Sequence, residues 1–149
     1  MRAVIQRVKT ASVTASGEEV GRIKHGFVLF LGVGKEDQAN DLEYMVNKIA
    51  GLRAFEDDNG KMNFALSDVS GELLVVSQFT LFGDCRKGRR PSFTAAADPD
   101  KAQKLYDDFI KGMKQQNIKV STGIFQARME VSLLNDGPVT FLLDSKKNF

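Results

Sequence analysis

Apolar residues recur along this chain in three patterns, each of which predicts a different element. In the first third, VIQRV and VTASGEEVGRI read as strands with Gly17 at a turn, and GFVLFLGV is a nearly continuous apolar run suited to a buried strand. From Gln38 the spacing becomes helical. Leu42, Met45, Val46 and Ile49 fall at i, i+3, i+4 and i+7, and either Asp37 or Asn40 caps the start. RAFEDDNGKMNFAL then sets Asn59-Gly60 between two short strand-like runs, which predicts a hairpin. GELLVVSQFTLFGD is an apolar strand whose far end turns polar before breaking at Gly83, and Cys85 to Ala97 reads as a loop.

The second helix is the clearest element. Asp98 caps it, Pro99 suits its first position, and Ala102, Leu105, Tyr106, Phe109, Ile110 and Met113 form the buried stripe, with an end near Asn117. The remainder, IKVSTGIFQARMEVSLLNDGPVTFLLDS, holds strand-like runs broken at Gly123 and at Asn135 to Pro138. Strands outnumber helices, and the helices separate groups of strands. That order favours an α+β fold with antiparallel pairing over a doubly wound sheet. Repeats, linkers and low-complexity tracts are absent.

Length and composition narrow the class. A chain of 149 residues fits one domain over 1–149, and 42% hydrophobic with 27% charged residues leaves little room for extensive disorder. The formal charge is only +2, from 21 basic and 19 acidic residues, so any attraction for nucleic acid must come from clustering. Cys85 is the only cysteine, which excludes an internal disulfide and a cysteine-built zinc site and favours a reducing compartment. No apolar stretch approaches the ~20 residues of a membrane span, so a cytoplasmic protein with no membrane association is expected. No metal or other cofactor is implied.

Familiar catalytic signatures fail. Gly32-Val33-Gly34-Lys35-Glu36 has Leu29 where a phosphate loop needs its first glycine, and Glu36 where it needs Ser or Thr. His25 is the sole histidine and reads as a surface turn residue, so a Ser-His pairing would have to use it. Asp57 and Asp58 adjoin a turn and do not read as an acid/base pair.

Two segments are less well explained by ordinary structure. In SQFTLFGD, Ser77, Gln78 and Thr80 end an apolar strand, either as hydrogen-bonded polar residues or as the lining of a cleft. NDGPVT puts Gly137-Pro138 in a turn between strands, with the isomer of that bond left open. Beside the first segment, CRKGRRPSF gathers Arg86, Lys87, Arg89 and Arg90 next to Phe93. That cluster is either a solvated charge run or a nucleic-acid handle in which cations track phosphates and the aromatic stacks on a base. Its position beside the polar strand end suggests an enzyme acting on the end of a nucleic acid.

SQFTLFGD and NDGPVT, with the opening MRAVIQRV and the intervening RRPSF, closely resemble the D-aminoacyl-tRNA deacylase family over essentially the whole chain. The resemblance implies a homodimer of β-barrel-like subunits that frees tRNA from amino acids of the wrong hand. It implies that Ser77, Gln78, Phe79 and Thr80 form the pocket for the terminal adenosine and its ester. By the same resemblance, Gly137 and Pro138, joined by a cis bond, would form a chiral gate reaching into the other chain's pocket, with Arg7 placed to brace it.

Such a gate has a physical logic. Attraction separates substrates by ~1–3 kcal/mol per methylene, whereas thousandfold protection of L-aminoacyl-tRNA needs about 4 kcal/mol. A rigid backbone wall at the α-carbon can supply the difference by rejecting any side chain on one side. It admits many D side chains, and glycine too, so glycyl-tRNA is an expected second substrate. Thr80 as nucleophile would need an adjacent base. The preferred route is backbone amides near Phe79 and Thr80 holding the oxyanion, worth ~2.7–4 kcal/mol per donor, while the tRNA 2′-OH positions or activates water. The rival readings are a non-catalytic RNA or DNA binding module using the 86–93 loop, and a hydrolase of small D-amino acid esters or peptides.

Overall fold

In the computed structural model, which describes residues 1–149, the strands form one curled sheet and a small hairpin, with two helices against one face. The strands are β1 (Arg2–Ala15), β2 (Glu18–Ile23), β3 (Gly26–Gly32), β4 (Phe55–Glu56), β5 (Met62–Phe64), β6 (Glu72–Ser77), β7 (Lys119–Thr122) and β8 (Met129–Asp144). The helices are α1 (Ala39–Ala50) and α2 (Pro99–Gln115), and a 3-10 turn spans Phe79–Phe82. Neither helix is long and apolar enough to cross a membrane.

The apolar runs are explained by burial on both faces. Phe27, Leu29 and Leu31 of β3, with Leu73 and Val75 of β6, face the helices and pack with Met45, Ile49, Tyr106, Phe109 and Met113. The alternate residues Val28, Leu74 and Val76 turn to the inside of the curl and meet Val8, Val13 and Ile23. Central strands of this kind show no polar alternation. Gly112 brings α2 close to α1, since a Cβ there would lie 2.9 Å from Val46 Cγ2.

Antiparallel pairing holds for β1 with β2, β3 and β8, and for β4 with β5. It does not hold for β3 with β6 or β6 with β7, which are parallel, so the sheet is mixed. The reason is the length of the connections. Residues 33–71 carry α1 and the hairpin, and residues 78–118 carry α2, long enough for crossovers that return the chain in the same direction. The sheet then curls into a nearly closed barrel: Ser121 Oγ donates to Arg22 O at 3.0 Å, and a Cβ on Gly21 would lie 2.7 Å from Thr122 O.

Two local expectations are corrected. Gln38, not Asp37 or Asn40, precedes α1, and its amide donates to Asp41 Oδ2 at 2.9 Å. Asp37 is buried, accepting from the Gly34 amide at 2.6 Å and pairing with the Met1 amine at 2.7 Å. The break expected at Asn135–Pro138 lies inside one long strand. Val8 pairs with Asn135 and Gln6 with Thr140, so residues 136–139 bulge out opposite the single residue Arg7. Asp98 does cap α2, accepting from the Lys101 amide at 3.0 Å, with Pro99 following.

Candidate active site

Ser77 ends β6 beside Leu31 of β3, and the Gln78 amide donates to Leu31 O at 2.8 Å. The chain then tightens into the Phe79–Phe82 turn, closed by Leu81 N to Gln78 O at 3.3 Å and Gly83 N to Thr80 O at 2.9 Å. Gly32 makes room for it, because a Cβ there would lie 2.8 Å from Gln78 O. The first two amides of the turn, on Phe79 and Thr80, precede its first internal bond and have no partner within it. Gln78 Nε2 donates to Thr80 Oγ1, which engages a lone pair of that hydroxyl.

Beside this turn lies a cleft of about 270 Å³. Ser77, Gln78 and Phe79 line it, together with Tyr106, Phe125 and Met129; Thr80 stands outside the lining. No carboxylate, histidine, lysine or arginine lines it. Its one ionisable group is the Tyr106 phenol, which burial pushes above its ordinary range and which donates to Val75 O at 2.9 Å. His25 is remote from the cleft. It sits exposed before Gly26 with its ring against Phe55 at 4.8 Å, and the six residues of β3 from Gly26 to Leu31 put roughly 17 Å between it and Ser77.

Gly137 and Pro138 are joined by a cis bond at the exposed crest of the β8 bulge. Arg7 lies beneath them, only 5% exposed. Its Nη1 donates to Ala54 O at 2.7 Å and its Nε to Asp136 O at 3.3 Å, while Nη2 reaches Glu56 Oε1 at 3.3 Å. Asn135 clasps the base of the bulge, accepting from the Val139 amide at 2.9 Å. Gly137 has a φ of +123°, and a Cβ on it would lie 2.7 Å from Val139 Cγ2 and 3.2 Å from Arg7 Nη2. Neither Gly137 nor Pro138 lines the cleft, so the fold of the chain brings Arg7 to the Gly-Pro turn but keeps that turn out of the cleft lined by Ser77–Phe79.

The basic loop is less uniform than its sequence. Arg86 is neutralised by Asp84 through bonds of 2.9 and 2.7 Å, and this pairing holds the Asp84 carboxyl well below the usual carboxylate range. Lys87, Arg89 and Arg90 are exposed and form no ion pair. Backbone bonds of 2.7 and 3.0 Å between Asp84 and Ser92 pin the loop, and Phe93 sets its ring edge against Phe79 at 5.1 Å. The loop therefore stands on the rim of the cleft, with three free cations. Sequence reasoning did not single out Phe125, Met129 and Val131, and read Tyr106 only as core; the fold brings all four to the cleft wall.

The family model described as D-Tyr-tRNA(Tyr) deacylase matches residues 4–144. A D-aminoacyl-tRNA deacylase of Thermosipho africanus is 60% identical over 149 residues, covering 100% of both chains. A solved structure described as c-Myc DNA Unwinding Element Binding Protein superposes with a TM-score of 0.90 at 40% identity, covering 97% of this chain and 98% of that one. Another, of a probable eukaryotic D-amino acid tRNA deacylase, superposes at 0.83 with 17% identity over 95% and 97%, a likeness of fold alone.

Proposed function

The chain belongs to the D-Tyr-tRNA(Tyr) deacylase family and is a hydrolase acting on aminoacyl-tRNA; from that premise we propose that it selects D-aminoacyl and glycyl esters by steric exclusion, in a site completed by a second copy of itself. The observation that carries this reading is the separation of the two motifs. Ser77, Gln78 and Phe79 stand at the cleft, while the Gly-Pro crest, held from below by Arg7 and Asn135, does not line the cleft of its own chain. In a symmetric pair each crest enters the other chain's cleft. The free edge of β8 supports such pairing: it bonds only to β1, and Leu134 and Leu142 are 55% and 60% exposed.

In this site the terminal adenosine occupies the apolar cleft along Phe125 and Met129, with the ester at Ser77–Thr80. Lys87, Arg89 and Arg90 hold the phosphates of the acceptor end, and Phe93 stacks on an unpaired base. The amides of Phe79 and Thr80 receive the oxyanion. The cleft offers no side-chain base, so the ribose 2′-OH of the substrate positions or activates the attacking water. The Gly137–Pro138 backbone, pressed to the α-carbon, leaves room for hydrogen but not for a side chain, which excludes L-aminoacyl esters and tolerates many D side chains and glycine. Activity belongs in the cytoplasm, where tRNA is charged.

The test is to incubate the protein with matched D-, L- and glycyl-tRNA and follow loss of the acyl group. Release from the D- and glycyl esters with the L-ester spared supports the gate, and equal release from both enantiomers refutes it. A second reading, nucleic-acid binding without turnover, draws on the three unpaired cations and on the name of the 40%-identical relative. Salt-sensitive binding with no amino acid released would favour it.

A further inference from the structure

We propose that Arg2 is a positioning residue for deacylation, holding the carbonyl end of the Phe79–Phe82 turn so that the amides at its other end keep their direction. The inference rests on the proposed use of those amides for the oxyanion. Arg2 enters β1 between Gly32 of β3 and Asp144 of β8, at the corner where the turn lies on the sheet. Its Nη1 donates to Leu81 O at 3.0 Å, and its guanidinium carbon stands 4.7 Å from the centre of the Phe82 ring. The buried Nε makes no hydrogen bond; Asp144 Oδ2, at 3.5 Å, is an ion-pair neighbour. One cation thus joins the last two residues of the turn to a buried carboxylate at the end of β8.

The turn is short, and Leu81 and Phe82 lie against Gly32 at the end of β3 and Gly34 just beyond it. Gln78 N to Leu31 O fixes its first end, and Arg2 is the side chain that grips its last. Peptide dipoles in a helical turn align with N–H groups at the start and C=O groups at the end. A cation at Leu81 O therefore has the sign that stabilises the turn and reinforces the positive potential at the Phe79 and Thr80 amides. Those amides meet full negative charge only when the tetrahedral oxyanion forms, so a change in their aim should appear in kcat and leave KM alone.

Arg2→Gln, Arg2→Lys, Asp144→Asn and Thr80→Ala are compared with wild type in kcat and KM on D-aminoacyl-tRNA, in salt dependence of KM, and in Tm. Arg2→Gln is expected to lower kcat about tenfold, part of the effect of losing one oxyanion donor, with KM within about twofold. Arg2→Lys, which keeps a cation near Leu81 O, recovers part of that loss and serves if Arg2→Gln does not fold. Asp144→Asn lowers Tm but keeps kcat, because the Leu81 bond survives. Wild-type kcat in folded Arg2→Gln, or kcat losses in Arg2→Gln and Asp144→Asn that both track Tm, would overturn the assignment. A raised KM with a shallower salt slope and unchanged kcat would make Arg2 a phosphate contact and overturn it equally. An inactive Thr80→Ala would instead remove the amide reading on which the assignment stands, whereas an active Thr80→Ala beside an unaffected Arg2→Gln would remove the assignment alone.

Discussion

Replacing Arg7 with leucine withdraws the brace from beneath the Gly-Pro crest while keeping an apolar stem in the buried position. The change leaves Ala54 O, bonded at 2.7 Å in a buried setting, without its donor. An unsatisfied buried acceptor costs ~1–3 kcal/mol, and at 2–4 °C per kcal/mol for a domain of this size Tm should fall by about 2–12 °C. The same change unpins Asp136, whose carbonyl and carboxylate face Arg7 Nε at 3.3 and 3.4 Å. A hydrogen bond to a charged group contributes ~1.5–3 kcal/mol. If that rigidity is what excludes L-substrates, the ratio of D to L hydrolysis should drop by about 10- to 100-fold, chiefly because L-ester hydrolysis rises. Initial deacylation rates on matched D- and L-aminoacyl-tRNA, measured well below Tm, give that ratio. A folded Arg7→Leu protein with unchanged discrimination, or one losing both rates in equal measure, would refute the bracing role.

Other expectations concern separate parts of the molecule. Thr80→Ala should retain much of the activity, and a terminal 2′-deoxyadenosine should abolish turnover; the opposite pair of results in single-turnover assays would indicate covalent catalysis. Removing Lys87, Arg89 and Arg90 together should weaken tRNA binding and reduce the slope of log affinity against log salt by about 2–3, whereas Arg86→Ala, whose charge Asp84 already neutralises, should reduce it by less. Equal effects of all four cations would contradict that distinction. Burial raises the Asp41 carboxyl, but hydrogen bonds from Lys146, Ser145 and the Gln38 amide outweigh it and bring it down to about 2. An unfolded aspartate titrates near ~3.9, so the stability this carboxylate adds is complete above that pH and is lost as pH falls toward 2. Thermal unfolding of Asp41→Asn should show a lower Tm at neutral pH and a flatter decline between about pH 4 and pH 2; an unchanged slope would contradict the assignment.

The parts of this fold legible in the sequence are those set by local spacing. Asp98, Pro99 and the stripe from Ala102 to Met113 lie within one helix, and their signals do not depend on distant residues. GFVLFLGV was readable as a buried strand for the same reason. The direction of its neighbour was not, since pairing between Leu31 and Ser77 is decided by how residues 33–71 cross the sheet. The candidate site divides in the same way. Ser77–Thr80 and Gly137-Pro138 stand out as polar or turn residues among apolar runs, whereas Phe125 and Met129 become cleft wall only when the chain from β7 into β8 passes beside Ser77–Phe79. Arg7 falls on the inward side of β1, and a buried guanidinium requires partners. Those partners are some 50 and 130 positions away, at Ala54, Glu56 and Asp136. The basic run concealed its own neutral member, because Asp84 lies just outside it.

The proposed discrimination between hands turns on which chain presents backbone to the reacting stereocentre. The most direct measurement is a crystal structure of the assembled protein with a non-hydrolysable D-aminoacyl-adenosine in the cleft beside Ser77–Phe79. The account predicts that Gly137 and Pro138 of a second copy lie in van der Waals contact with the hydrogen on the ligand's α-carbon, with the D side chain directed away from them. A ligand bound in a lone subunit, or an assembly in which both Gly-Pro crests face solvent, would contradict it.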